Sequence, residues 1–271
     1  TIRIGVSGPF TGGSSPMGES MRNGVRLAVE EINGAGGING MSIELVERDD
    51  TANNETGAKI ADELTRSKVA ATIGIVNTGV GLASIDYYQK AKIPLLVAVS
   101  TGPMLTRKFS PPSQKANFIF RVSPTLDLEA RVLAADLKRK SLLRIALMAD
   151  TTPYGDSGVS AFAEQARLAG LDIVAELRFK VGDTDMSGLV KRARVSGAVA
   201  VVMWGIGPEL ASIARGMHST GWRVPMLGSW TLSMRNFIDA AGPAGDQAWP
   251  PECPRPCASG RFAGSCPRHQ R

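Results

Sequence analysis

Apolar and polar positions alternate between two periods along almost the whole chain. Short runs with a period of two, or wholly apolar, occur at Ile2–Val6, Ser42–Val46, Ala70–Val76, Pro94–Val99 and Phe118–Val122. The same pattern returns at Arg144–Met148, Asp172–Arg178, Ala198–Trp204 and Pro225–Leu227. These read as β-strands. Segments of helical period separate them. The first places Met21, Val25, Ala28, Val29 and Ile32 on one face. Others cover Thr56–Arg66, Gly81–Lys90, Leu126–Lys138, Gly158–Ala169, Met186–Arg194 and Pro208–His218. Strand and helix in strict alternation predict a parallel α/β architecture. Wholly apolar strands such as Ile93–Val99 predict sheets covered on both faces.

The segment Arg121–Thr125, RVSPT, divides two such β-α series. The fold expected is α/β, with two Rossmann-like lobes of parallel sheet joined by a hinge and a cleft at the carboxyl ends of the strands. Residues 1–121 form the N-terminal lobe and 122–246 the C-terminal lobe. Residues 247–271 form an irregular tail, holding five of the 16 prolines and all three cysteines, with no apolar period.

Composition changes this picture little. The chain has 271 residues, is 43% hydrophobic and 21% charged, and has no apolar run long enough to cross a bilayer. Half of its +6 net charge sits in the tail, where Arg255, Arg261, Arg268 and Arg271 stand against Glu252. In the body the charges are interspersed, and the run Lys138–Lys140 reads as the solvated end of a helix, so no nucleic-acid partner is expected. A body without cysteine suits an oxidising compartment.

Catalytic and cofactor chemistry has little support. The two histidines are His218, expected at a solvated helix end, and His269 in the tail. Cys253, Cys257, Cys266 and His269 are zinc-ligand types, but proline interrupts their first loop and no metal is expected. The glycines Gly34, Gly36, Gly37 and Gly40 approach a dinucleotide fingerprint. Asn39 stands where the third glycine belongs, however, and the turn leaves a helix to enter a strand, so a helix C-cap and tight turn explain them. Nothing supports an enzyme or a bound cofactor.

Binding is better served. Asn77-Thr78-Gly79 and Ser100-Thr101-Gly102-Pro103 each follow a buried strand and open a helix. Free backbone N–H groups and the positive helix end, with a hydroxyl beside them, suit a carboxylate; simple N-capping is the alternative.

The chain also resembles a known family. From Ile4 it reads IGVSGPFTGG, then NGVRLAVEEINGAGGINGMSIELVERDD, ending at the pair Asp49-Asp50. This is similar to the opening IGxxGPxTG…G…NGxxLAxEEINxxGGINGxxIxLxxxDD of the solute-binding proteins of branched-chain amino-acid ABC importers. The resemblance covers about residues 2–246 and implies a type I periplasmic binding fold. It also implies a periplasmic monomer that passes a small carboxylate to a membrane permease by hinge closure. It places Val99 (through its carbonyl), Thr101 and Thr78 at the positions that hold the ligand's α-carboxylate and amine, and Ser100 between them is expected among the ligand-binding residues. Tyr154 takes the aromatic position over the ligand, and Met17 takes a place in the side-chain pocket. In LGSWTLS, Trp230 stands where amino-acid-binding members carry an acidic residue. Tryptophan cannot balance an ammonium, so a carboxylate lacking one, aromatic or branched aliphatic, is expected. Trp204, at the end of its strand, is expected to add to the same wall, with a place in the core as the alternative. A ligand-sensing domain of the same fold is the alternative. In the resembled family the chain returns to complete the first lobe. That return is missing here, so a truncated or aberrant C-terminus, lower stability than a longer relative and poor ligand binding are expected.

Overall fold

The structure, a computed structural model, describes residues 1–249. The first sheet comprises β1 (Ile2–Gly8), β2 (Ile43–Asp49), β3 (Ala71–Gly74), β4 (Leu95–Val97) and β5 (Ile119–Arg121), ordered β2-β1-β3-β4-β5. The second comprises β6 (Arg144–Asp150), β7 (Asp172–Phe179), β8 (Ala200–Trp204), β9 (Met226–Gly228) and β10 (Ala248–Trp249), ordered β10-β9-β8-β6-β7. All pairings are parallel. In both sheets the strand order turns back beside the first strand, which is the doubly wound arrangement. Each of the nine strands expected from the hydrophobic pattern is present.

Helices α1 (Ser15–Gly34), α2 (Asn54–Arg66), α3 (Thr78–Ala91) and the single turn α4 (Met104–Arg107) connect the first set of strands. Helices α5 (Leu126–Arg139), α6 (Pro153–Ala169), α7 (Ser187–Val195), α8 (Gly207–Ser219) and α9 (Arg235–Ala241) serve the second. The glycine cluster does what a C-cap and tight turn require. Gly36, Gly37 and Gly40 all adopt φ between 75 and 98°, and a Cβ on Gly37 would lie 2.2 Å from the Met41 carbonyl oxygen.

The second sheet is covered on both faces. Trp204, Leu147, Phe162 and Leu133 pack on the α5–α6 side, while Met203, Ile213, Met217 and Phe237 pack on the α7–α9 side. The first sheet differs from the expectation. Ile75, Ile85, Tyr88 and Leu105 fill its α2–α3 side. Its other face, with Ile4, Ile73, Leu96 and Phe120, instead borders an open apolar groove of about 790 Å³. The apolar stripe of α1, expected to be buried, lines that groove, and Ile32 stays 38% exposed.

Two further expectations are corrected. Ala248–Trp249 forms a strand within the segment read as irregular, because its backbone extends the β9 edge at Met226 and Leu227. His218, expected to be solvated, is half-buried in the last turn of α8, with both ring nitrogens shielded. The tail beyond, with Cys253, Cys257, Cys266 and His269, lies outside the described residues. Among those that are described, no group of histidine, cysteine or acidic side chains is placed to hold a metal ion, and no helix is long and apolar enough to cross a membrane.

The paired aspartates closing β2 organise loops. Asp49 Oδ1 accepts the Phe10 and Thr51 N–H groups, both at 2.8 Å, and Oδ2 accepts the Thr11 hydroxyl at 2.7 Å. Burial raises its pKa, but these hydrogen bonds outweigh that and hold the carboxyl below its usual range. Asp50 is fully buried, and its Oδ1 accepts the Ala52 N–H at 2.9 Å. Burial pushes it up to about 6, against the Ala52 hydrogen bond, with the Asp49 charge adding to the rise. A raised carboxyl favours the folded state fully below about pH 4 and loses that contribution as pH rises through about 6. Asp50→Asn keeps an acceptor for Ala52 and removes the titration. Relative to wild type it is expected to gain on the order of 2–3 kcal/mol between about pH 4 and pH 7. Urea denaturation of both proteins across that range checks this; parallel pH profiles would refute it.

Candidate functional site

The carboxyl ends of the two sheets face each other across a cleft of about 590 Å³. Loops from both sheets meet there, at the positions where strand order reverses. The N-terminus of α3 supplies one wall. The first intrahelical bond runs from Gly81 N–H to the Asn77 carbonyl at 3.0 Å, so the amides of Thr78, Gly79 and Val80 precede it and remain free for a ligand. Asn77 is the N-cap, not Thr78, and its side-chain amide is used instead to donate to Ser14 Oγ at 3.1 Å. Ile75 turns the chain into this loop with φ of 65°, a conformation rare for a β-branched residue, while its side chain is fully buried.

The loop after β4 lies beside it. The Thr78 and Ser100 hydroxyls are hydrogen-bonded at 2.9 Å. Gly102 is required there, since a Cβ would come 2.4 Å from Thr78 Cγ2. Thr101 is 2% exposed, and its hydroxyl has no partner. The helix expected to open at this loop is present but short: α4 is one four-residue turn starting at Met104, too short to carry a helix dipole. Arg121 holds the loop instead, donating to the Ser100 and Gly102 carbonyls at 3.0 and 2.6 Å and to the Pro124 carbonyl at 3.2 Å. Burial, helped by the nearby Arg107 charge, lowers its ordinary value. The Ser123 hydroxyl also donates to the Ser100 carbonyl, at 2.6 Å. The loop after β4 is thus tied to the connection between the lobes.

The second lobe supplies the opposite wall. Thr152 caps α6, its hydroxyl accepting from Tyr154 N, and Asp150 braces the cap, its Oδ1 accepting from Thr152 N, Thr152 Oγ1 and Gly155 N. Burial raises its pKa despite these bonds. Tyr154 lines the cleft and donates its hydroxyl to Ser229 Oγ at 2.6 Å. Burial first, then the Glu129 charge, pushes that phenol well above its ordinary value, so it stays protonated. Trp230 begins a 3₁₀ turn, Trp230–Ser233.

Of the residues named from sequence, Met17, Thr78, Val99, Ser100, Thr101, Tyr154 and Trp230 all line the cleft. Trp204 does not. It is wholly buried in the α5–α6 core, and a Cβ on Gly158 of α6 would sit 2.4 Å from its ring. Sequence reasoning missed Asn53, Asn54 and Glu55 at the start of α2, Thr151 and Thr152 after β6, and Thr231. The first three follow Asp50, and the Asx-capping pattern Asn53-x-x-Thr56 signals a strand-to-helix loop at a sheet's carboxyl end. Among the described residues, no lysine, arginine or histidine lines the cleft.

Two doubly wound lobes meet over a hydroxyl- and amide-lined cleft. The chain belongs to the Periplasmic binding protein family, whose pattern matches residues 1–250. It is 28% identical over 246 residues to the Leu/Ile/Val-binding protein homolog 2 of Brucella abortus, covering 90% of this chain and 64% of that one. A Type 1 periplasmic binding protein from Bordetella pertussis superposes with a TM-score of 0.83 at 28% identity, covering 90% of this chain and 66% of the other. The branched-chain amino-acid transporter substrate-binding protein LivJ of Streptococcus pneumoniae, in complex with isoleucine, superposes with a TM-score of 0.80 at 26% identity, covering 89% and 68%. The fold is that of the type I periplasmic binding proteins. The chain spans 64% of the length of the Brucella relative.

Proposed function

We propose that this chain is an extracytoplasmic solute receptor that holds a small carboxylate, a branched-chain amino acid or a related aromatic or aliphatic organic acid, for an ABC importer. One observation carries this reading. The free amides of the α3 N-terminus, the Thr78–Ser100 hydroxyl pair and the unpartnered Thr101 hydroxyl converge on one cleft wall. That array neutralises an anion without a cationic side chain. Tyr154 and Trp230, on the facing lobe, offer rings to an apolar body. Relatives named for leucine, isoleucine and valine binding, and a neighbour bound to isoleucine, support the ligand's size and acid group. Trp230 supports an acid without an ammonium. Val122–Thr125, the one chain crossing between the lobes among the described residues, supports closure by a hinge. As a periplasmic, monomeric receptor it would dock on its permease in the closed form.

Isothermal titration with leucine, 4-methyl-2-oxopentanoate and benzoate, each beside its methyl ester, tests the reading. At least one acid is expected to bind at least tenfold more tightly than its ester, with the two ammonium-free acids ahead of leucine. Equal binding of acid and ester, or of none of them, would overturn it.

A further inference from the structure

The ligand cleft and the apolar groove of the first sheet share three lining residues, Met17, Val99 and Trp230. On the cleft side lie the anion-binding amides and hydroxyls. On the groove side lie Ile4, Val25, Ile73, Leu96 and Phe120. We propose that Trp230, with Met17 beside it, is the end wall of the cleft and sets the length of apolar chain that a bound carboxylate can carry. This inference rests on the carboxylate reading above.

The indole is held from behind its own backbone. Ser229 is fully buried, and its hydroxyl accepts from Tyr154 Oη at 2.6 Å and from Thr231 N–H at 3.4 Å. Thr231 and Leu232 are buried in turn. The turn is therefore fixed, while the Trp230 ring itself is only half-buried, with cavity on both sides. Met17 is 7% exposed, and its flexible thioether can fill irregular space against the ring. A chain anchored by its carboxylate at Thr78 and Thr101 and growing toward this wall gains contact with each methylene until it meets the indole. Beyond the indole, space lined by apolar side chains continues, so the wall, and not a lack of room, sets the limit.

The experiment titrates the protein with straight-chain carboxylates from butanoate to decanoate, each below its micelle-forming concentration. For wild type, affinity is expected to rise about three- to fourfold per added methylene and then to level or fall at an intermediate length. In Trp230→Ala the rise should continue to at least two methylenes beyond that length. Trp230→Phe should keep the limit nearly in place. Met17→Ala should extend it by a smaller step, and it serves as the second variant should Trp230→Ala fail to fold. An unchanged length limit in Trp230→Ala, or in Met17→Ala if only that variant folds, overturns the inference and leaves the carboxylate reading standing. If wild type binds none of the series and none of the acids of the earlier titration, the carboxylate reading fails and takes this inference with it.

Discussion

Thr101→Val is expected to weaken carboxylate binding by about 10- to 100-fold while leaving the melting temperature nearly unchanged. A hydrogen bond from a neutral hydroxyl to a charged group contributes roughly 1.5–3 kcal/mol when desolvated. In the ligand-free protein the Thr101 hydroxyl is buried and unpartnered, so the fold gains nothing from it. Valine has nearly the same shape and removes a polar group that folding leaves unsatisfied. Binding energy and stability are therefore separable at this residue. They are not separable at Thr78, where the same substitution would leave the Ser100 hydroxyl without its partner at 2.9 Å. Calorimetry and a thermal melt on one preparation measure both quantities. Unchanged affinity in Thr101→Val would remove this loop from the anion site.

Trp204→Ala should give the opposite result, a loss of roughly 3–5 kcal/mol in stability with ligand affinity of the folded protein held within about threefold. Trp204 is wholly buried as the last residue of β8 and packs in one cluster with Leu147, Phe162 and Val202. Gly158 approaches the ring so closely that no side chain fits between them. Removing the indole leaves a cavity that two rigid elements, β8 and α6, cannot close. Its N–H has no acceptor, so Trp204→Phe should cost far less, about 1.5 kcal/mol or below. Urea denaturation gives the stabilities. A Trp204→Ala protein that melts like wild type but binds tenfold more weakly would return this residue to the cleft.

The contrast between Trp204 and Trp230 shows where sequence reading stops. Both tryptophans lie at or just beyond the carboxyl end of an apolar strand. Strand parity carries part of the answer: Ala200, Val202 and Trp204 share one face of β8, and that face packs on α5 and α6. Trp230 lies two residues beyond the end of β9, where parity no longer applies, and the 3₁₀ turn aims it into the cleft. The helix expected after Ser100-Thr101 is present but short. Pro103 and the apolar Met104 and Leu105 look like a helix start, and the chain makes a single turn, Met104–Arg107, before Phe109, with Leu105 and Phe109 packed on the α3 side of the core.

The sequence by itself determined the element types and their order. Periods of two and of 3.6 residues, glycine C-caps and strand-end aspartates are local signals that act between neighbours in the chain. Those signals placed nine parallel strands, the turn at Gly36–Gly40 and the loops that bear Thr78, Thr101 and Tyr154. Only the tertiary structure decided which loops form one site and which apolar faces are covered. Thr78 meets Ser100 across 22 residues, and Tyr154 meets Ser229 across 75. The stripe of α1 is as periodic as any buried helix face, yet it borders an open groove. A period shows that a face can be buried; whether it is buried depends on what else packs against the sheet, and no local pattern contains that.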